Sequence, residues 1–192
     1  MTSTATSVLT LQNRHTGERL EMRRVTRDGQ DCLALRGELP PRQQGPPLHL
    51  HYREAEEFRV VAGTLSATAE GRQIRAGVGE TAVFEAGTTH RWWNDADTPL
   101  VLEGVVRPAV DLDRYLHAMF DVLNHGAPER PSLFYVAHVA RRHRHTQAGF
   151  FIPLAVQSIL FPVVVFLGTV LGRYRGDNWP GSPARCVGVP AE

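Results

Sequence analysis

The stretch Gly45-Pro-Pro-Leu-His49-Leu-His51-Tyr-Arg-Glu-Ala-Glu56, running on to Gly63, decides how this chain is read. A second stretch opens at Gly79 and reads Gly87-Thr-Thr-His90-Arg-Trp-Trp-Asn94. Side chains alternate along a strand, so His49 and His51 share a face. Glu56 opens the apolar run to Ala62 and shares its face with Phe58, Val60 and Ala62, whereas Glu57, Arg59 and Val61 take the other. His90, Trp92 and Asn94 again share one face. A small β-barrel can turn three such imidazoles and one carboxylate toward one point, which makes a metal site of mixed nitrogen and oxygen donors.

These two stretches resemble the paired motifs of the cupins. In the first, His49-Leu50-His51 stands for the HxH element, four residues precede Glu56, and six more lead to Gly63. Only three residues separate Gly45 from His49, a small departure. In the second, five residues follow Gly79, Glu85 replaces the usual proline, two residues separate Gly87 from His90, and three separate His90 from Asn94. The resemblance covers about residues 30–108. It implies a mainly β fold, a double-stranded β-helix (jelly-roll) barrel, followed here by two or three C-terminal helices. It also implies His49, His51, Glu56 and His90 as ligands of a divalent metal (Fe, Mn, Ni or Zn). Glu57 is the competing carboxylate; face parity and distance from Gly63 favour Glu56.

Residues around the ligands shape the functional expectation. Phe58, Val60 and Trp92 fall on the ligand faces and would make an apolar pocket wall, with Asn94 beside them, suiting a hydrophobic small molecule. Three histidines and a glutamate leave one or two positions open on an octahedral ion for substrate, water or dioxygen. Glu56 is the best candidate for a catalytic base. The expected function is a dioxygenase-like oxidoreductase on a small organic substrate. A metal-containing sensor without turnover and a metal-dependent sugar isomerase or epimerase are the alternatives, because this fold hosts all three.

Composition narrows the field further. The chain has 192 residues and a formal charge of +1, so no strong nucleic-acid binding is implied. All 21 basic residues are arginine, which excludes lysine Schiff-base chemistry and points to a GC-rich bacterial genome. Cys32 and Cys186 alone make no disulfide framework. The N-terminus lacks the basic start and apolar run of a signal peptide, so a cytoplasmic barrel is expected.

Outside the two motifs, short apolar runs punctuated by Gly, Pro, Asn and Asp predict strands at Ser7–Gln12, Arg19–Thr26, Asp31–Leu39, Leu48–His51, Glu56–Ala62, Thr64–Ala69, Arg72–Ala76, Thr81–Phe84, His90–Asn94 and Leu100–Val106. Residues 1–108 thus form the barrel. Leu112, Tyr115, Leu116, Met119, Phe120 and Leu123 then recur at helical intervals, with Asp111 as N-cap and Gly126 as stop. A second helix is predicted from Ser132 to about His145, within a helical extension over 109–147. Its end, His143-Arg-His145, repeats HxH, but on a helix residues two apart diverge by about 200°, so it reads as a basic helix end. Residues 148–176 form an apolar helical segment. Its stretch 149–172 is long enough to span a bilayer, and hydropathy favours insertion in the inner membrane; the competing expectation is packing on the barrel or in a homodimer. Residues 177–192 show no core-forming pattern and are expected to be a disordered tail.

Overall fold

A computed structural model describes residues 7–127 and 131–188. Ten strands come first: β1 (Leu9–Gln12), β2 (Arg19–Arg27), β3 (Gln30–Leu39), β4 (His49–His51), β5 (Ala55–Ala62), β6 (Leu65–Ala69), β7 (Arg72–Ala76), β8 (Thr81–Phe84), β9 (His90–Trp93) and β10 (Leu100–Arg107). Two helices follow, α1 (Leu112–Leu123) and α2 (Leu133–Arg142), then a short strand β11 (Gln147–Gly149) and helix α3 (Leu154–Val170).

The strands form two antiparallel sheets, ordered β1-β2-β3-β10-β5-β8 and β11-β4-β9-β6-β7. Their inner faces enclose one apolar core, in which Met22, Leu33, Leu39, Val60, Leu65, Phe84, Leu100, Leu102 and Val106 are almost wholly buried. Period-two alternation is visible in β5, where Glu56, Phe58 and Val60 are buried while Arg59 between them is exposed. Glu57, on the outer face, pairs with Arg107 across the sheet. Face parity therefore separates the two adjacent glutamates as their positions in the strand dictate.

Turns close the sheets where the sequence supplies glycine. Gly63 (φ 79°) and Gly87 (φ 81°) both take the left-handed region that disfavours side chains. Gly45 serves a close approach instead: a Cβ there would lie 2.5 Å from the Trp92 carbonyl oxygen.

Helix α1 is tied to the first sheet by a buried ion pair. Arg24 of β2 reaches both carboxylate oxygens of Asp113 at 3.1 and 2.7 Å and also donates to the Val110 carbonyl. Asp111 does not cap α1 with its side chain. It accepts a 2.6 Å hydrogen bond from Nδ1 of His143 instead, which joins the end of α2 to the start of α1.

The C-terminal third departs from expectation in three ways. The residues after α2 include a strand, β11, which pairs with β4 so that Gln147 faces His51 and Gly149 faces His49. The membrane-spanning segment expected over 149–172 is not one helix: β11 takes Gly149, Pro153 stands at the start of α3, Pro162 lies inside it, and Gly172 (φ 69°) follows its end. Its 17 residues amount to roughly 25 Å, short of a hydrocarbon core of about 30 Å. Among the described residues no helix is long and apolar enough to cross a membrane. Phe161, Val164 and Gly168 of α3 are buried, while Ile159, Val163, Phe166 and Val170 are exposed.

Third, the stretch read as a disordered tail packs onto the helices as far as it is described. Trp179 is buried against Tyr135 and His138. Arg185 forks onto Asp121 of α1 at 2.9 and 2.6 Å, and Cys186 sits among Ala118, Val122 and Val139. Residues 189–192 lie outside the described part. Composition hid this packing because three anchors, Trp179, Arg185 and Cys186, hold a Gly/Pro-rich segment that has no periodicity of its own.

Candidate metal centre

Three strands bring the four expected ligands together. β4 carries His49 and His51 on one face, β9 places His90 directly opposite His49, and β5 supplies Glu56 from the facing sheet. One donor atom from each of His49, His51, Glu56 and His90 lies within 4.8 Å of every other. The ring centres of His49 and His90 are 4.3 Å apart, and those of His49 and His51 4.9 Å. Glu56 reaches Nε2 of His90 with one oxygen at 3.1 Å and Nε2 of His51 with the other at 3.3 Å.

Two of the imidazoles are oriented by the backbone. Nδ1 of His49 donates to the Pro47 carbonyl at 2.8 Å, and Nδ1 of His90 donates to the Thr88 carbonyl at 2.9 Å. A proton on Nδ1 leaves the Nε2 lone pair directed at the cluster, the arrangement metal-ligating histidines require. His51 differs: both of its ring nitrogens are buried, and neither makes a hydrogen bond of ordinary geometry. Such an orphaned nitrogen beside a carboxylate fits a cation at that point.

The electrostatics agree with that fit. Burial pushes His49 down to about 3, and the neighbouring imidazoles add to the effect. Burial also lowers His51, against the attraction of Glu56. Burial alone would raise Glu56; the surrounding imidazoles, His51 foremost, reverse this and hold it at about 2. At neutral pH His49 and His51 are neutral and Glu56 is ionised, the protonation states a divalent ion demands of its ligands.

The expected pocket residues divide. Phe58 and Val60 belong to the packed core, and Phe58 meets Trp92 with ring centres 6.1 Å apart. Asn94 does not face the cluster. Its amide donates to the carbonyls of Leu39, Pro40 and Thr98, and its oxygen accepts from the Ala96 backbone, so it ties loops together. The aromatic wall on the histidines is Phe84, stacked on His90 at 4.4 Å with planes 9° apart. Its signal in the sequence is the alternation of Ala82 and Phe84, but only the pairing of Phe84 with Glu56 places it at the site.

Two further polar residues were hidden. Glu54, in the break between β4 and β5, is 1 % exposed and accepts from the Gln147 amide at 3.1 Å. Burial raises its carboxyl to about 7. Gln147 had no signal, because its strand has three residues and follows a helix end. His49 is the least buried of the four candidate ligands. Beside it, the ring of Phe151 fills the place a Cβ on Gly149 would take.

Two antiparallel sheets closing on an HxH, glutamate and histidine cluster define a cupin-type barrel. Residues 35–106 match the family model described as "Cupin domain", and the chain carries a cupin domain there. A curated relative, the probable oxidoreductase virH of Hypocrea virens, is 40 % identical over 52 residues, which is 26 % of this chain and 23 % of that protein. The oxidoreductase iacF of Pestalotiopsis fici is 33 % identical over 79 residues, 40 % of this chain and 39 % of that protein. The chain thus matches well under half the length of either. Among solved structures, KdgF from Halomonas sp. is similar at 22 % identity, with 53 % of this chain and 89 % of that chain covered and a TM-score of 0.45. A predicted oxalate decarboxylase from Thermotoga maritima is similar at 22 % identity, with 55 % and 95 % covered and a TM-score of 0.41.

Proposed function

We propose that the chain is a divalent-metal cupin acting as a dioxygenase-like oxidoreductase on a small, largely apolar organic substrate, with His49, His51, Glu56 and His90 as metal ligands. The observation that carries this reading is the convergence of four donor atoms, one from each of His49, His51, Glu56 and His90, within 4.8 Å of one another. The oxidoreductase names of two relatives support the class. When bound, the ion supplies Lewis-acid polarisation and a template for substrate and dioxygen.

The protein's own residues supply the rest. Phe84 backs His90 and, with Phe58 and Trp92 behind it, keeps water from the inner side of the cluster. A ligand approaches past His49, the least buried of the four, alongside Phe151. Glu56 is the carboxylate at the reacting centre, where it completes the donor set from the sheet opposite the three histidines.

The test is oxygen uptake by protein loaded anaerobically with Fe(II), Mn(II) or Ni(II), against a panel of phenols and diketones. Substrate-dependent uptake that disappears in His90→Ala supports the reading. Stoichiometric metal with no uptake on any of the panel overturns the oxidoreductase and favours a ligand-binding domain.

A further inference from the structure

We propose that Gln147, supplied from outside the barrel by β11, is a positioning residue for His51, and so that the C-terminal extension completes the metal centre. This rests on the reading of His51 as a ligand. The starting point is an asymmetry among the three imidazoles. His49 and His90 are each fixed through Nδ1 by the carbonyl two residues upstream. His51 has no such carbonyl, and its Nδ1 is buried without a hydrogen-bond partner of ordinary geometry.

Gln147 stands where the missing acceptor is needed. β11 pairs with β4 in a register that sets Gln147 directly opposite His51, so the two side chains leave the sheet on the same face. Its Oε1 is likewise buried and without another partner, and the Gln147 side chain interacts with the His51 imidazole. The amide is not free to turn, because its Nε2 donates to Glu54 at 3.1 Å. That bond turns Nε2 toward Glu54 and leaves Oε1 for the Nδ1 proton of His51. Gln147 is 6 % exposed and Glu54 1 %, so water does not compete for these atoms.

The chain of contacts runs from Glu54 through Gln147 to His51, whose Nε2 lies 3.3 Å from Glu56. It does for His51 what backbone carbonyls do for the other two. Partners of this kind behind a metal-bound histidine typically change metal affinity by about 10–100-fold when removed. The strand that brings Gln147 is itself held: Tyr52 donates to the Thr146 carbonyl at 2.9 Å and Phe150 to the Leu48 carbonyl at 2.8 Å.

The experiment has two arms on the full-length chain. In metal-free wild type, nitrogen NMR of the imidazoles should show His51 as the Nδ1–H tautomer; an Nε2–H tautomer overturns the proposal without recourse to any variant. In the second arm Co(II) affinity is measured by chelator competition. Gln147→Leu should weaken it about 10–100-fold and alter the visible spectrum of bound Co(II). Gln147→Glu, which keeps an acceptor, should recover most of the loss, which a merely structural role would not give. Wild-type affinity and spectrum in a folded Gln147→Leu overturn the proposal. Failure of the wild type to bind Co(II) sinks the metal reading instead, while the tautomer arm still reports on Gln147.

Discussion

Two glycines with nearly the same backbone angle should respond very differently to the same substitution. Gly63 and Gly87 sit at φ 79° and 81°. An alanine in this region costs about 1–2 kcal/mol on conformation alone. At Gly87 nothing lies within 4 Å of the added Cβ, and the alanine keeps the N–H that donates to the His51 carbonyl at 2.7 Å. Gly87→Ala should therefore cost that conformational amount and no more. At Gly63 the Cβ would stand 2.4 Å from the Pro99 carbonyl oxygen and 3.1 Å from Cα of Leu100. Both atoms are backbone at the start of β10, the strand that joins β3 and β5 in the first sheet, so relief means moving a central strand. Overpacking of this kind adds about 1–3 kcal/mol, which brings Gly63→Ala to roughly 2–5 kcal/mol. Urea unfolding of the metal-free variants, with equal m-values, measures the difference. A Gly87→Ala as damaging as Gly63→Ala, or a Gly63→Ala within about 1 kcal/mol of wild type, would refute the reasoning.

Other consequences follow from buried charge. Asp113→Asn removes the buried one of the two carboxylates that Arg24 pairs with, Asp31 being the other; Asp113 is wholly buried and Arg24 7 % exposed. Because Asp31 still neutralises Arg24, it should destabilise by less than the roughly 3–5 kcal/mol that a buried charge left alone costs, about 1–3 kcal/mol in urea unfolding, and Arg24→Met with Asp113→Leu should recover much of that. The metal-free protein should resist acid to about pH 4.5 and then fail. His49, ordinarily 6.5 and held at about 3, favours the folded state less and less as pH falls below 6.5. Glu54 and Glu18, raised from 4.5 to about 7, have the opposite slope between those values and offset it. Below 4.5 only the destabilising slopes of His49 and of Glu56, held at about 2, remain among these groups. Urea midpoints at several pH values check this; a midpoint that rises on acidification from pH 4.5 contradicts it.

The strands and the convergence of the His/Glu cluster were legible because both depend on period two. Alternation in Glu56–Ala62 separates inward from outward side chains before any pairing is known, and Glu56, which face parity favoured over Glu57, is the more buried of the two. Pairing between distant strands is what one sequence does not reveal. Phe84 reaches the cluster only through its register with Glu56, and Gln147 only through its register with His51. The apolar stretch after Gly149 misled for a related reason. Hydropathy sums over length, whereas the two prolines and the strand at Gly149 divide that length into pieces. Asn94 was expected beside the pocket and was not legible as a tie between distant stretches, since its carbonyl partners are Leu39, Pro40 and Thr98.

The central claim, that His49, His51, Glu56 and His90 together hold one divalent ion, is tested most directly by metal stoichiometry. Full-length protein is stripped with chelator, reloaded with Fe(II) or Co(II) under anaerobic conditions, and assayed for bound metal beside His49→Ala and His90→Ala. The account predicts stoichiometric uptake, one ion for each chain, by the wild type and loss of that uptake by both variants, with all three proteins folded. A folded wild type that takes up no ion, or variants that bind as the wild type does, would contradict it.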